Sequence, residues 1–233
     1  MTDALMIRNT VLSVVIPCLN EAETIVQLLE TLQDARAEGV ELVLVDGESI
    51  DDTVALAAPL VDKLIGSVVG RAQQMNAGAQ AAAGEILWFL HADSVIRAEF
   101  PRQIISVMAA SESDWGRFNI RLSGRHPMLR VIEFMMNWRS RLSGIATGDQ
   151  GIFVRRELFV RLGGFPAIPL MEDIAISKRL KRYSRPQVIA RCLITSSRRW
   201  EQSGIISTVL LMWRLRWAYF FGADPARLAQ RYR

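Results

Sequence analysis

A chain of 233 residues, half of them hydrophobic and 22% charged, can bury one sizeable core and is too apolar for a disordered protein. Its formal charge of +4 points to anionic company, whether phosphates, nucleic acid or a lipid surface, without choosing among them. Two cysteines, Cys18 and Cys192, exclude a disulfide framework and suit a reducing compartment.

In chain order, residues 1–10 carry Asp3 and Arg8 and lack a basic stretch leading into an apolar one. They do not read as an export signal, and the expected location is the cytoplasm or the inner face of the cell membrane. Short β-branched runs at 12–16, 41–45, 63–65 and 86–90 alternate with helical patterns, the signature of βαβ units and a parallel sheet. Between the first two, Ile25, Leu28, Leu29 and Leu32 recur at helical spacing, so a helix is expected to cover the sheet. From about Asp114 the pattern loosens into a strand-like 117–122, a helix over 127–142 and a glycine-punctuated stretch through Gly164.

That helix places Met128, Val131, Ile132, Met135 and Trp138 on one face and Arg130, Glu133, Asn137 and Arg141 opposite. Its apolar face is expected to pack in the core, a lipid-facing role being the alternative. Residues 202–213 are uncharged, but Arg214 and Arg216 interrupt the run before the roughly 20 residues a spanning helix needs. A helix over 203–221 would either pack on the domain or lie on a bilayer surface.

Ligands of open parallel sheets bind beyond the carboxyl ends of the strands, and here those ends are polar. The first reads Pro17-Cys18-Leu19-Asn20-Glu21, with no Gly-x-Gly-x-x-Gly, and no phosphate-binding P-loop occurs anywhere, which argues against a dinucleotide-dependent dehydrogenase and a P-loop NTPase. The second reads Asp46-Gly47-Glu48-Ser49-Ile50-Asp51-Asp52-Thr53. Asp46 can accept from a base imide, and Ser49 or Asp51 can face a ribose; the same residues also suit a plain turn and helix cap. In the fourth, His91-Ala92-Asp93, period-2 geometry puts His91 and Asp93 on one side of the chain, and both residue types can ligate Mg2+ or Mn2+ bound to a diphosphate.

Together these segments resemble the family 2 glycosyltransferases: Ser13-Val14-Val15-Ile16-Pro17-x-x-Asn20-Glu21, Asp46-Gly47-x-Ser49-x-Asp51-x-Thr53, Leu90-His91-Ala92-Asp93, Thr147-Gly148-Asp149-Gln150-Gly151, Gly163-Gly164-Phe165 and Glu172-Asp173. The resemblance covers residues 11–200, with 201–233 left as a C-terminal helical segment packed on the domain or on a membrane surface. It implies an α/β, single-domain A-type glycosyltransferase fold with a mainly parallel, Rossmann-like sheet flanked by helices. It implies a nucleotide-sugar donor, usually a UDP-sugar, and inversion at the anomeric carbon.

By position, Pro17, Asn20, Glu21, Asp46 and Ser49 would line the nucleoside pocket, and Arg71, Gln74 and Asn76 lie in the segment that approaches the donor. Asp93 matches the last Asp of the metal-binding Asp-x-Asp motif, with His91 in place of the first, so Mg2+ or Mn2+ is the implied cofactor. Asp173, beside Glu172, matches the general base; charge at the start of the following helix is the plainer account of that pair.

The His-Ala-Asp variant resembles a small bacterial subfamily linked by name to glycosylation of a carotenoid acid, which implies a lipid-like acceptor. Arg199-Trp200 is present, but Ser196 stands where processive members carry Gln, so a single transfer is expected. Arg71, Arg198 or Arg199 would support the leaving diphosphate. The alternatives are a sugar nucleotidyltransferase, which usually carries a glycine-rich basic loop after the first strand, and a noncatalytic nucleotide-binding or membrane-surface protein. No nucleic-acid partner is expected, because the basic residues are dispersed and no recognition motif accompanies them.

Overall fold

The computed structural model describes residues 10–232, apart from the side chain of Arg199. Residues 1–9, most of the segment read above for an export signal, lie outside it. The strands are β1 (Leu12–Cys18), β2 (Glu41–Asp46), β3 (Lys63–Gly66), β4 (Ile86–Phe89), β5 (Trp115–Leu122), β6 (Phe153–Arg155) and β7 (Gln187–Thr195). The helices are α1 (Ile25–Thr31), α2 (Gln33–Ala37), α3 (Thr53–Ala57), α4 (Arg71–Ala81), α5 (Phe100–Ala109), α6 (Pro127–Ser143), α7 (Arg156–Arg161), α8 (Glu172–Leu180), α9 (Arg198–Gln202), α10 (Ile205–Phe220) and α11 (Pro225–Tyr232).

One sheet runs in the order β3-β2-β1-β4-β6-β5-β7. Only β6 opposes the common direction, pairing antiparallel with both β4 and β5. Strand periodicity sorts the core into two layers. Val14, Ile16, Leu42 and Leu44 face α1 and α5, while Val15, Val43 and Val45 face α4, α7 and α8. Covering both faces explains why β1 is buried along its whole length, and it leaves the carboxyl edge as the place where polar loops gather.

Helix α6 reverses the expectation drawn from its sequence. Its limits follow local chemistry: the His126 side chain caps the Met128 N–H, Pro127 opens the first turn, and Gly144 closes the helix at φ 66°. Yet Met128, Val131, Met135 and Trp138 are exposed, as are Phe134 and Leu142. Ile132 alone of the expected apolar set is buried, and Arg130, Glu133 and Asn137 of the polar set turn toward β5 while Arg141 stays exposed. Asn137 exchanges two 2.9 Å hydrogen bonds with the backbone of Ile120, Glu133 accepts from the Leu122 N–H, and Arg130 donates to the carbonyls of Leu122 and Gly124 at 2.7 and 2.8 Å. Beyond Gly116, β5 pairs only with β7. Its other edge needs hydrogen-bond partners, and polar side chains of α6 supply them.

At the C-terminus, Leu215 and Leu228 pack with Ile145, Met171 and Ile174, which brings α10 and α11 against the loops at the carboxyl edge. Among the described residues, no helix is long and apolar enough to cross a membrane.

Candidate active site

The loops after β1 and β2 are laced together. The Asn20 N–H donates to Ser49 Oγ at 2.9 Å, and Asn20 Oδ1 accepts from the Ile50 N–H at 2.9 Å. Asp46 accepts from the N–H groups of Glu48 and Ser49, each at 3.1 Å. Asp51 accepts from the N–H groups of Thr53 and Ala22 at 3.1 and 3.2 Å. The turn-forming role of this segment is therefore realised, and Asn20 and Glu48 adopt the positive φ values, 55° and 69°, that such lacing demands. A carboxylate offers about four acceptor positions, so Asp46 retains capacity for a ligand. Pro17 lies buried within β1 opposite Val45. Burial, then the Asp46 charge, pushes the neighbouring Cys18 thiol up to about 12, which keeps it protonated and inert.

Helix α4 braces these loops. The buried Gln74 amide donates to the carbonyls of Cys18 and Val45 at 2.8 and 3.0 Å. A Cβ on Gly47 would approach Gln74 Nε2 to 2.8 Å, so glycine is what lets the amide reach both strands. Asn76 exchanges bonds of 2.8 and 2.9 Å with the Phe165 backbone, tying α4 to the Gly163-Gly164-Phe165 turn. Gln74 and Asn76 thus spend their amides on the walls of the site. Arg71, exposed at the helix start, is different: its charge acts on Glu21, His91 and Glu172 together.

Strand β4 stops at Phe89, one residue short of expectation, and a 3.1 Å bond from the Ser94 N–H to the His91 carbonyl turns the chain. Strand periodicity therefore does not orient His91 and Asp93. His91 lies against Gly148, where a Cβ would come within 2.8 Å of Nε2, while Asp93 acts on Glu21. Burial, assisted by Arg71, pushes His91 down to about 3, so its imidazole is neutral. Burial raises the Glu21 carboxyl and Asp93 adds to the rise, whereas Thr24, Arg198 and Arg71 oppose it.

Across the cleft, α8 opens from Met171, held at φ 70°. Asp173 Oδ2 accepts from the Gly148 N–H at 2.8 Å and Oδ1 from its neighbour Ile174 at 2.7 Å. Two backbone N–H donors thus fix the orientation of this carboxylate. Glu172 is buried, and burial followed by the Asp173 charge pushes it up to about 7. A buried carboxyl with a raised pKa beside one fixed by two N–H donors is an arrangement that suits acid/base chemistry.

Sequence reasoning left four nearby groups unassigned. Burial raises the Asp149 carboxyl; Thr147 offsets this in part, and Asp173 adds to it. Asp149 Oδ1 and Arg139 Nε and Nη2 are buried without hydrogen-bond partners. Burial and the neighbouring Arg216 lower Arg139 to about 10, against the pull of Asp149 and Asp173. Tyr219, on α10, is raised by its own burial and by Asp173. The Thr147-Gly148-Asp149-Gln150-Gly151 motif was visible in the sequence, but nothing local signalled that residues from α6 and α10 would meet it.

Among the described residues, no group of three or more His, Cys, Asp or Glu could by itself hold a metal ion. The donor set His91 and Asp93 still suits one: a ligating imidazole must be neutral, as His91 is, and Mg2+ commonly takes one or two carboxylates, waters and substrate phosphates.

A family model described as Glycosyl transferase family 2 matches residues 13–161. Among curated proteins there is no significant match. Solved structures similar to this chain include S. aureus TarS 1-349 in complex with UDP, 20% identical with a TM-score of 0.66. Glucosyl-3-phosphoglycerate synthase from Mycobacterium tuberculosis, in complex with Mg2+ and UDP, is 19% identical with a TM-score of 0.60. Mannosyltransferase PcManGT from Pyrobaculum calidifontis, in complex with GDP-Man and Mn2+, is 21% identical with a TM-score of 0.60. The matches cover 80%, 80% and 79% of this chain but 60%, 70% and 56% of the respective partners.

Proposed function

Because the chain belongs to glycosyl transferase family 2 and shares the A-type fold of these structures, we propose that it transfers a single sugar from a nucleotide-sugar donor, a UDP-sugar, to an acceptor oxygen with inversion. The observation that carries this reading is the pairing of a carboxylate fixed by two N–H donors, Asp173, with unpartnered buried polar atoms of Asp149 and Arg139 close by. Buried polar atoms without partners are costly unless a ligand completes them.

In this reading Asn20, Asp46 and Ser49 hold the nucleoside, with Asp46 accepting from the uracil imide. Arg71 faces the diphosphate. The acceptor oxygen attacks the anomeric carbon as its proton passes to Asp173; the bond from that carbon to the diphosphate breaks, and the diphosphate departs with the electron pair. His91 and Asp93 would hold Mg2+ or Mn2+, which when bound neutralises charge on the departing diphosphate. Relatives with UDP and Mg2+, and with GDP-Man and Mn2+, support both parts of the reading. A lipid-like acceptor, carotenoid or otherwise, and a peripheral membrane contact through residues 205–221 belong to the same reading, supported by the packing of α10 against Met171 and Ile174, which flank Asp173.

Thermal unfolding with UDP, GDP, dTDP and CDP, each with and without Mn2+, tests the donor. A nucleotide at 100 times its Kd adds about 2.7 kcal/mol of stability, so UDP should raise Tm. Failure of every nucleotide to do so sinks the proposal, and a response to GDP alone replaces the UDP assignment.

A further inference from the structure

The outward faces of α6 and α10 each carry a long apolar stripe. On α6 the exposed apolar residues recur at 128, 131, 134, 135, 138 and 142, and on α10 at 206, 210, 213, 217 and 220, with Phe221 just beyond its end. Each set forms a single stripe at helical spacing. Phe134 is 66% exposed, Trp217 59% and Phe220 71%. A scattered surface hydrophobe needs no explanation, but two stripes do. The helices also share a small core, in which Leu129, Ile132 and Met136 of α6 meet Ile205 and Val209 of α10.

Charge narrows the choice of partner. The only acidic residue in α6 is Glu133, which is buried and paired with Arg130 at 2.9 Å, and α10 has none. Exposed Arg141 and Arg214 flank the stripes. A symmetric dimer formed through this surface would set it against itself, bringing arginines together without carboxylates to answer them. Tryptophan, phenylalanine and arginine over a hydrophobic stripe are instead the composition of helices that lie in the headgroup region of an anionic bilayer.

We propose that α6 and α10 form one docking surface for an anionic bilayer, with Phe134, Trp138, Trp213 and Trp217 entering the headgroup layer and Arg141 and Arg214 facing lipid phosphates. This deepens the peripheral contact proposed above, adding α6 and specifying the lipid charge. It also gives a physical reason for the turned helix: Arg130, Glu133 and Asn137 are committed to the β5 edge, and most of the apolar stripe is left for the membrane. The surface includes α10, which packs through Leu215 against Met171 and Ile174 on either side of Asp173, so docking would bring the acceptor side of the site to the lipid.

The full chain should co-sediment with vesicles of phosphatidylcholine mixed with phosphatidylglycerol, and much less with phosphatidylcholine alone or at high salt. Arg214→Glu should weaken this binding roughly 25-fold, since each surface cation contributes about fivefold. The double variants Phe134→Ser/Trp138→Ser and Trp213→Ser/Trp217→Ser should each weaken it, with UDP affinity by calorimetry unchanged as the check on folding. No binding of the wild type to anionic vesicles overturns the proposal. So does weakening by the α10 variants only, which would leave α6 out of the surface. A lipid-free dimer that the same substitutions dissociate, without vesicle binding, assigns the stripes to a second copy instead. Because sedimentation needs no turnover, a protein that binds vesicles but no nucleotide would fail the transfer reading alone.

Discussion

The two edges of the sheet treat buried carboxyls in opposite ways. At the amino edge, Glu41 accepts from the Ala83 N–H at 2.7 Å and from the Ser13 hydroxyl, and pairs with Lys63 at 2.7 Å. Burial alone would raise its carboxyl, but Ala83, Lys63 and Ser13 together hold it below the ordinary value. At the carboxyl edge, burial raises both Glu172 and Asp149, and Asp149 Oδ1 has no hydrogen-bond partner. The amino edge spends its polar groups on stability; the carboxyl edge leaves Asp149 Oδ1 and two Arg139 nitrogens unpaired, at a stability cost.

The sharpest break in this comparison is Asp173→Asn, which keeps the size of the side chain and removes the proton acceptor. General-base catalysis contributes about 10² to 10⁴ in rate, so kcat should fall at least roughly 100-fold. UDP affinity, measured on the same folded variant, should hardly move, because the proposed base faces the acceptor. Near-normal turnover would end the base assignment, and lost UDP binding would move Asp173 to the donor side.

Glu41→Ala tests the other edge. It leaves the Ala83 N–H and the Ser13 hydroxyl without their acceptor, which costs about 1 to 3 kcal/mol; Lys63, with its side chain 40% exposed, is rehydrated and adds little. Urea unfolding should show that loss, while UDP affinity of the folded fraction stays the same. An unchanged midpoint would mean the network contributes nothing.

The edges should also respond to pH with opposite sign. For Glu41 the folded carboxyl titrates below the unfolded one, so its contribution is present above the ordinary value near 4.5 and disappears as pH falls through the folded value. For Glu172 the folded value is raised to about 7, so between about 4.5 and 7 the native state binds more protons than the unfolded state and stability falls as pH rises. Glu172→Gln should remove that decline, leaving the variant about 1 to 3 kcal/mol more stable than the parent at pH 8 and no more stable at pH 4. Equal shifts at both pH values would show that the gain has another origin.

How much of this was legible in the sequence depended on whether a pattern had one physical meaning. β1, β2, β3 and β4 were readable because a β-branched run between turn residues in a βαβ array has few alternatives. β6, with three residues, and β7, with its register shift opposite Phe118 and Asn119, offer no such run. The α6 pattern gave the helix correctly and its orientation wrongly, since amphipathicity fixes which residues share a face and leaves open which face turns inward. Likewise, the resemblance put Gln74 and Asn76 in the segment that approaches the donor but could not show that backbone carbonyls and an amide engage their side chains. Arg139 and Arg216 reach the cleft only through tertiary packing and carry no local mark.

Asp46 provides the smallest and most discriminating test, because it belongs to both sides of the comparison: part of its carboxylate closes the turn through Glu48 and Ser49, and the rest is available to a base. Asp46→Ala removes both functions, whereas Asp46→Asn keeps an acceptor oxygen for the turn and replaces the other with a donor that opposes an imide N–H. If Asp46 reads uracil, both variants should weaken UDP binding by about 1 to 2 kcal/mol, the cost of leaving polar partners unmatched. If it only closes the turn, Asp46→Asn should bind UDP like the parent while Asp46→Ala loses stability. Calorimetry with UDP, beside thermal unfolding of both variants without nucleotide, separates the two outcomes. Parent-like affinity in the Asn variant removes Asp46 from the recognition of the base.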